Sequence, residues 1–425
     1  MKLTIKLSIL SSINIIITFL YQWYVVVLFG PGSETDALFA GMVIPQLFLA
    51  IITGSLMYVL IPILSIEKQS QFSIICWTFF QLTGLIFLAI SLILSYFADY
   101  WVPFFVPGFD NATTNLSISL IRIQLIGMIF IALTTVLWSA SHAKKKFVFV
   151  ECTTIISNII GFLFLVTTID KFGIFSASWA MVIKSALQTL LLINIMGTFS
   201  LPQFNHSSVK NFFTRIKPLI AGTIYYKSEQ LFDRFLASMT NTGNLTLLHL
   251  SQQIYSVSNM LFDKAILSPT FPELSKNAFN NKWNEFTQII NKRFIIIIIL
   301  TILAYICLFF FGKPVLSLIF VNFSKTDINK LWILLLCLIG LLMGAPLGQL
   351  LSSSFYAQGN TITPTKIGVV GYTLGIVCKI TGFYYYGITG VAIGTTIFYF
   401  FNIFIMTIFL SKAIHLNEKK KPNNA

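Results

Sequence analysis

Apolar runs of about twenty residues, separated by short polar or charged stretches, recur from one end of this chain to the other. A helix needs ~20 apolar residues to cross the hydrocarbon core of a bilayer. Twelve runs qualify: 5–29, 37–64, 73–97, 116–140, 147–168, 173–197, 217–239, 245–270, 294–311, 328–356, 365–385 and 388–411. The longest connections, 98–115, 198–216, 272–293 and 312–327, are too short to hold a folded soluble domain. The pattern predicts an all-α polytopic membrane protein with about 12 transmembrane helices. The second run is the most irregular. Gly30, Pro31 and Gly32 mark a turn before it. Glu34 and Asp36 follow, and Pro45 and Gly54 then interrupt a stretch otherwise long enough to span. Broken helices with an acid at the mouth line transport paths. Gly30, Gly32, Pro45 and Gly54 are therefore candidate hinges.

Composition agrees with the pattern. The 425 residues are 56% hydrophobic and 10% charged, with a mean hydropathy of +0.83. A soluble domain carries roughly 25% charged residues. The net charge of +14 comes from basic residues scattered between apolar runs. That distribution argues for membrane topology and anionic headgroups rather than nucleic acid. The five cysteines (Cys76, Cys152, Cys307, Cys337, Cys378) all lie in apolar runs without metal or redox spacing. The N-terminal MKLTIKLSILSS has no small-residue cleavage site after it and reads as the start of an uncleaved first span.

The basic residues also set an orientation. With twelve crossings and the N-terminus inside, 18 of the 28 Lys and Arg face the cytoplasm, four face out, and six lie in spans. The positive-inside rule then places both termini in the cytoplasm of a cell membrane.

The two halves resemble each other. At an offset of 210, Pro62-Ile63-Leu64-Ser65 matches Pro272-Glu273-Leu274-Ser275. At an offset of 214, Ala143, Gly161 and Gly173-Ile174 match Ala357, Gly375 and Gly387-Ile388. Six spans separate the copies, so both have the same orientation, a parallel repeat with the path between the copies. The expected layout is a six-helix lobe over 1–197, a cytoplasmic linker over 198–216, a second six-helix lobe over 217–411, and a tail over 412–425.

Several local motifs resemble one family. Phe29-Gly30-Pro31-Gly32 with Thr35-Asp36-Ala37 resembles the FGxG…TDA signature of the MurJ/MviN lipid II flippases. Pro45-Gln46-Leu47 and Pro62-Ile63-Leu64 resemble its second-helix pattern, and Phe232 to Ser238 its seventh-helix DRxxAS stretch. Phe355 to Asn360 with Thr363-Pro364-Thr365-Lys366 resembles its FYAxGD…TPxK loop, and Gly387 to Thr396 the start of its twelfth helix. The matches run in order from about residue 11 to 412. The resemblance implies the multidrug/oligosaccharidyl-lipid/polysaccharide exporter superfamily, a V-shaped two-lobed fold, and alternating access to a central cavity. It also implies a lipid-linked glycan as cargo, membrane lipids as surroundings, and polysaccharide or cell-wall biosynthesis proteins as partners.

The cationic positions of that family are occupied differently. Tyr21 and Gln22 stand where it has Arg-Asp, and Val27, Leu49, Ala50 and Gln253 stand at or near its arginines. Those arginines are implied to hold the diphosphate of the cargo. Their replacement favours a related undecaprenyl-linked oligosaccharide or polysaccharide precursor over lipid II.

Ionisable residues inside spans are functional candidates, because burying one costs at least ~2.5–3.5 kcal/mol on insertion scales. The seventh run holds Lys227, Glu229, Asp233 and Arg234, and the eighth ends with Asp263 and Lys264. Asp36, Lys227, Glu229, Gln253 and Lys264 are the candidate substrate-binding residues. Lys227 and Lys264 can attract a diphosphate as point charges; local neutralisation or snorkelling is the competing account. Asp36 can gate the cavity, bind a sugar hydroxyl, or cap the second helix, where the dipole favours an acid. The resemblance further implies a cation site on the seventh, eleventh and twelfth helices. Here the matching positions are Asp233, Gly375, Lys379 and Thr395. The expectation is that Lys379 pairs with Asp233 where sodium sits in relatives, locking the second lobe. Ion coupling (Na+ or H+) or membrane potential is the expected drive.

Catalytic chemistry finds no footing. The four histidines (His142, His206, His249, His415) have no paired acid or serine arrangement, and no Walker loop, metal-ligand cluster or dinucleotide fingerprint occurs. No cofactor or metal is expected. The alternatives to a flippase are a multidrug or cation exporter of the same superfamily, a non-transporting scaffold, and, further off, a membrane glycan polymerase or ligase.

Overall fold

The computed structural model describes residues 2–66, 69–203, 209, 212, 225 and 228–419. All regular elements among them are helical. Nine stretches of the described residues are long and apolar enough to cross a membrane. By packing, the chain divides into two compact units, Met1–Gly243 and Asn244–Ala425.

The first unit contains α1 (Lys2–Phe29), α2 (Ser33–Ile66), α3 (Gln69–Tyr96), α4 (Ala98–Phe105), α5 (Asn111–Ala143), α6 (Phe147–Phe172), α7 (Phe175–Leu192) and α8 (Glu229–Ser238). Helix α5 is its centre and packs against α2, α3 and α7. Its buried face mixes large apolar residues with Ser117, Gly127, Thr134, Ser139 and Ala140. Small side chains let helices approach closely, and in lipid this packing is what holds a bundle together. Some hydroxyls left inside pair across helices: Thr134 and Thr189 share a hydrogen bond of 2.9 Å between α5 and α7. Asp110 caps α5 by accepting the Thr113 N–H at 3.1 Å. Its hydrogen bonds with Thr113 hold the Asp110 carboxyl below the usual carboxylate range.

The structure corrects one reading of the second run. Helix α2 continues without a break through Pro45, Gly54 and Pro62. A proline deletes one N–H from the ladder, but packing by neighbouring helices tolerates that loss in a membrane bundle. Much of the α2 face is buried against α5 along the way. A second difference is α4, a short helix within a segment expected to be a connection. The division after Gly243 also falls later than the expected 198–216 linker, because α8 packs on α2 and α4.

The second unit begins with a long helix built of α9 (Asn244–Phe262), a π turn at Asp263–Leu267, and α10 (Ser268–Phe279). It continues with α11 (Trp283–Ile319), α12 (Lys325–Cys337), α13 (Ile339–Ala357) and α14 (Ile362–Lys419), which bends at Gly387 into two arms. The expected single span 328–356 is thus divided between α12 and α13. The cause is a side chain in the helix ladder. Thr396 Oγ1 accepts the Gly340 N–H at 3.0 Å and donates to the Cys337 carbonyl at 2.5 Å.

The repeat read from the sequence is visible in backbone geometry. Gly173 has φ 54°, ψ −140°, and Gly387, its match at offset 214, has φ 58°, ψ −134°. Such left-handed corners suit glycine, which has no Cβ to clash. Ala143 and Ala357, paired by the same offset, are the last residues of α5 and α13. Helix α2 likewise corresponds, at offset 210, to the long helix that starts at Asn244.

Candidate functional site

The most structured polar site in the first unit lies at the start of α2. Gly30 adopts φ 70° and closes α1. Thr35 then ties the turn together: its hydroxyl donates to the Gly30 carbonyl at 2.8 Å and accepts the Gly32 N–H at 3.0 Å. Asp36 is 2% exposed. Its Oδ2 accepts the backbone N–H of Gly243, 207 positions away, at 2.6 Å. Gly243 has φ 87°, and a Cβ there would stand 2.9 Å from the Pro31 carbonyl oxygen. The turn after α4 joins the same place, with Gly108 against the Ser238 carbonyl. The FGxG…TDA stretch is therefore a latch that grips the end of the first unit. This arrangement engages the carboxylate of Asp36 in the latch itself.

Beside the latch, Asp233 and Arg234 of α8 are both buried. Asp233 and Asp36 are the anionic groups that act on the Arg234 charge. Arg234 lines a cavity of about 20 Å³, the size of one water, together with Ala40, Ile44, Trp101, Ser117 and Leu231. Asp233, expected to hold a cation or lock a lobe, thus sits in the first unit beside an arginine.

The other expected site residues are more dispersed. Glu229 is half-buried at the start of α8, and Lys227 lies outside the described residues. In the second unit, Gln253 is half-buried on α9 and Lys264 is exposed in the π turn. Asp263, next to it, accepts the Gln349 Nε2–H at 2.7 Å. Lys379 is 1% exposed, and the two arms of α14 press together around it, with Gly394 against its backbone. The Thr395 hydroxyl, buried, donates to the Val391 carbonyl of its own helix at 3.0 Å. Gly30 and Gly32 form the α1–α2 turn, whereas Pro45 and Gly54 lie inside the unbroken α2.

Three polar clusters of the first unit have partners that only the packing reveals. Gln124 Nε2 donates to the Leu38 carbonyl at 3.2 Å and to Ser178 Oγ at 3.3 Å, joining α5 to α2 and α7. Glu151 of α6 accepts Ser11 Oγ–H and Asn14 Nδ2–H from α1, both at 2.7 Å. Lys184 of α7 lays its ammonium over the Tyr21 ring, 5.1 Å from the centroid. Arg122 pairs with Asp99 at 2.8 Å.

This fold and these motifs have clear relatives. The profile of the lipid II flippase MurJ family matches residues 25–422. The chain belongs to the lipid II flippase MurJ family. A probable lipid II flippase MurJ of Buchnera aphidicola subsp. Baizongia pistaciae is 25% identical over 423 residues, covering 96% of this chain and 82% of that protein. A solved lipid II flippase MurJ in an inward closed conformation superposes with a TM-score of 0.83 at 20% identity, covering 97% and 90% of the two chains. An inward-facing multidrug resistance MATE transporter of the MOP superfamily follows at 0.78 and 14% identity, over 98% and 99%. As a MurJ family member the chain is a multi-pass membrane transporter and not an enzyme. The residues expected to stand at or near the family's arginines are uncharged. Tyr21 and Leu49 are buried, and Val27, Ala50 and Gln253 are half-buried.

Proposed function

We propose that this chain moves a polyprenyl-diphosphate-linked saccharide, lipid II or a related undecaprenyl-linked glycan, from the inner to the outer leaflet. The observation that carries this reading is the MurJ family match across residues 25–422. The polar headgroup crosses through a path lined by helices, while the polyprenyl tail stays in lipid and access alternates between the two sides. Both termini lie in the cytoplasm, as the excess of Lys and Arg in the expected inner loops supports. The cargo headgroup is anionic, so transport couples to membrane potential at ~2.3 kcal/mol per charge per 100 mV. Ion coupling through Na+ or H+ adds to that drive.

Reconstitution into vesicles tests this directly. Fluorescent lipid II and fluorescent undecaprenyl-linked oligosaccharides are loaded in the leaflets, and reduction by an impermeant agent reports exchange. Accelerated exchange of either lipid supports the reading, and the faster of the two identifies the cargo. No acceleration for any of them, with export of a cationic dye instead, would replace the flippase by a drug exporter.

A further inference from the structure

The charges embedded in the first unit can be followed one by one. Arg122 pairs with Asp99. Arg234 lies in the fields of Asp233 and Asp36. Glu151 takes two hydrogen bonds from Ser11 and Asn14. Lys184 remains. Among the described residues no carboxylate lies within ion-pair distance of its ammonium, whose neighbour is the Tyr21 ring. An aromatic face offsets part of the desolvation of a cation, yet an ammonium has three N–H donors to satisfy.

The surroundings are built to hold this side chain in place. A Cβ on Gly161 would stand 2.8 Å from Lys184 Cβ, so the missing side chain lets α6 approach α7 closely here. The Tyr21 hydroxyl donates to the Ala177 carbonyl on α7, two turns before Lys184, which fixes the ring beneath the ammonium. Lys184 is half-buried beside that ring. The internal repeat supplies a comparison. The offset of 214 that pairs Gly161 with Gly375 also pairs Lys184 with Phe398. There the Phe398 side chain fills the gap over Gly375, 3.0 Å from where a Cβ would stand, and its ring meets Tyr372 at 6.2 Å. An apolar residue therefore satisfies the packing at this position. The lysine adds a positive charge that packing does not require, in a segment where charge is penalised.

We infer that Lys184 is an anion-binding residue that receives phosphate oxygens of the cargo headgroup. This rests on the function proposed above. The Tyr21 ring sets the place of the charge, and the lysine, as a point charge on a flexible stem, tolerates several orientations of a diphosphate. Lipid-borne diphosphate and free diphosphate share this chemistry.

The test uses the purified full chain in detergent and three probes: a polyprenyl diphosphate, the polyprenyl alcohol of the same length, and inorganic diphosphate. Wild type is expected to bind the diphosphate lipid more tightly than the alcohol. Lys184→Gln should weaken the diphosphate lipid roughly ten- to a hundredfold, the loss of one charge-assisted hydrogen bond, and leave the alcohol unchanged. Lys184→Arg should retain the preference. Competition by inorganic diphosphate in wild type, lost in Lys184→Gln, would show that the site reads the anion without the tail; lack of competition with the lipid preference intact would show that the tail is needed. Two outcomes overturn the inference: wild type with no preference for the diphosphate lipid, or a folded Lys184→Gln with undiminished preference. If the glutamine variant does not fold, Lys184→Phe, which copies the packing at Phe398, takes its place. Binding that depends on Lys184 without leaflet exchange of any lipid would sink the proposed function and leave the site standing.

Discussion

Replacing Asp36 measures what the latch contributes. The carboxylate is 2% exposed and receives the Gly243 N–H at 2.6 Å. A hydrogen bond to a charged group contributes about 1.5–3 kcal/mol, and an orphaned buried donor costs about 1–3 kcal/mol. Asp36→Asn keeps the shape and a neutral acceptor, so it should lose about 1–2 kcal/mol, the charged share of that bond. Asp36→Ala also leaves the Gly243 N–H unsatisfied and should lose about 2–4 kcal/mol. At roughly 2–4 °C per kcal/mol for a unit of this size, Tm falls by about 2–8 °C for Asn and about 4–16 °C for Ala. The assay is thermal unfolding of the purified protein in detergent, followed by tryptophan fluorescence. Glu34→Gln is the control, because Glu34 is an exposed carboxylate two residues earlier in the same turn. A drop for Asp36→Ala no larger than for Glu34→Gln would refute the latch as a source of stability.

Three further outcomes are expected. Gly390→Ala places a Cβ on the Gly382 carbonyl where the two arms of α14 meet, so it should abolish accumulation of folded protein in a fluorescence-detected size-exclusion assay, while an alanine at exposed Thr381 should not. Asp110 is held below the usual carboxylate range by its cap, so the stability it adds is complete above about pH 4, the ordinary Asp value, and is lost as pH falls through the lower folded value. Melting curves of wild type and Asp110→Ala should therefore differ at neutral pH and converge in acid. Glu151→Leu removes the two hydrogen bonds that tie α1 to α6, and should speed hydrogen exchange in α1 without a matching change in α3.

Much of the helical layout was legible because a bilayer demands long apolar runs, and that demand is written locally. Helix starts and stops near Phe29, Ala143, Phe147 and Ala357 followed from it. The positive φ of Gly173 and Gly387 lay behind a match that the repeat had already paired. Pro45 misled, because proline signals a break only where no neighbour supports the helix. The interruption at Leu338 was hidden for the opposite reason: Thr396, 58 positions later, enters the ladder there. Helix α11 begins at Trp283, well before its apolar run, since polar residues continue a helix beyond the lipid as readily as apolar ones. At the site, Asp36 stood out as an acid at the edge of a span, but its partner is a backbone N–H that no residue type announces. Lys184 is one of the six basic residues inside the expected spans, whereas the Tyr21 ring beneath it depends on how α1 crosses α7.

The latch also has a timetable. Asp36 and its partner Gly243 are 207 residues apart, and ribosomes add about 5–20 residues per second. For roughly 10–40 s of each synthesis, on that rate, α2 exists while the amide that receives its acid has not been made. During that interval the carboxylate at the start of α2 resists entering hydrocarbon and holds that end of the helix at the water boundary. The bond forms only when the last residue of the first unit arrives, so its closure marks the completion of that unit.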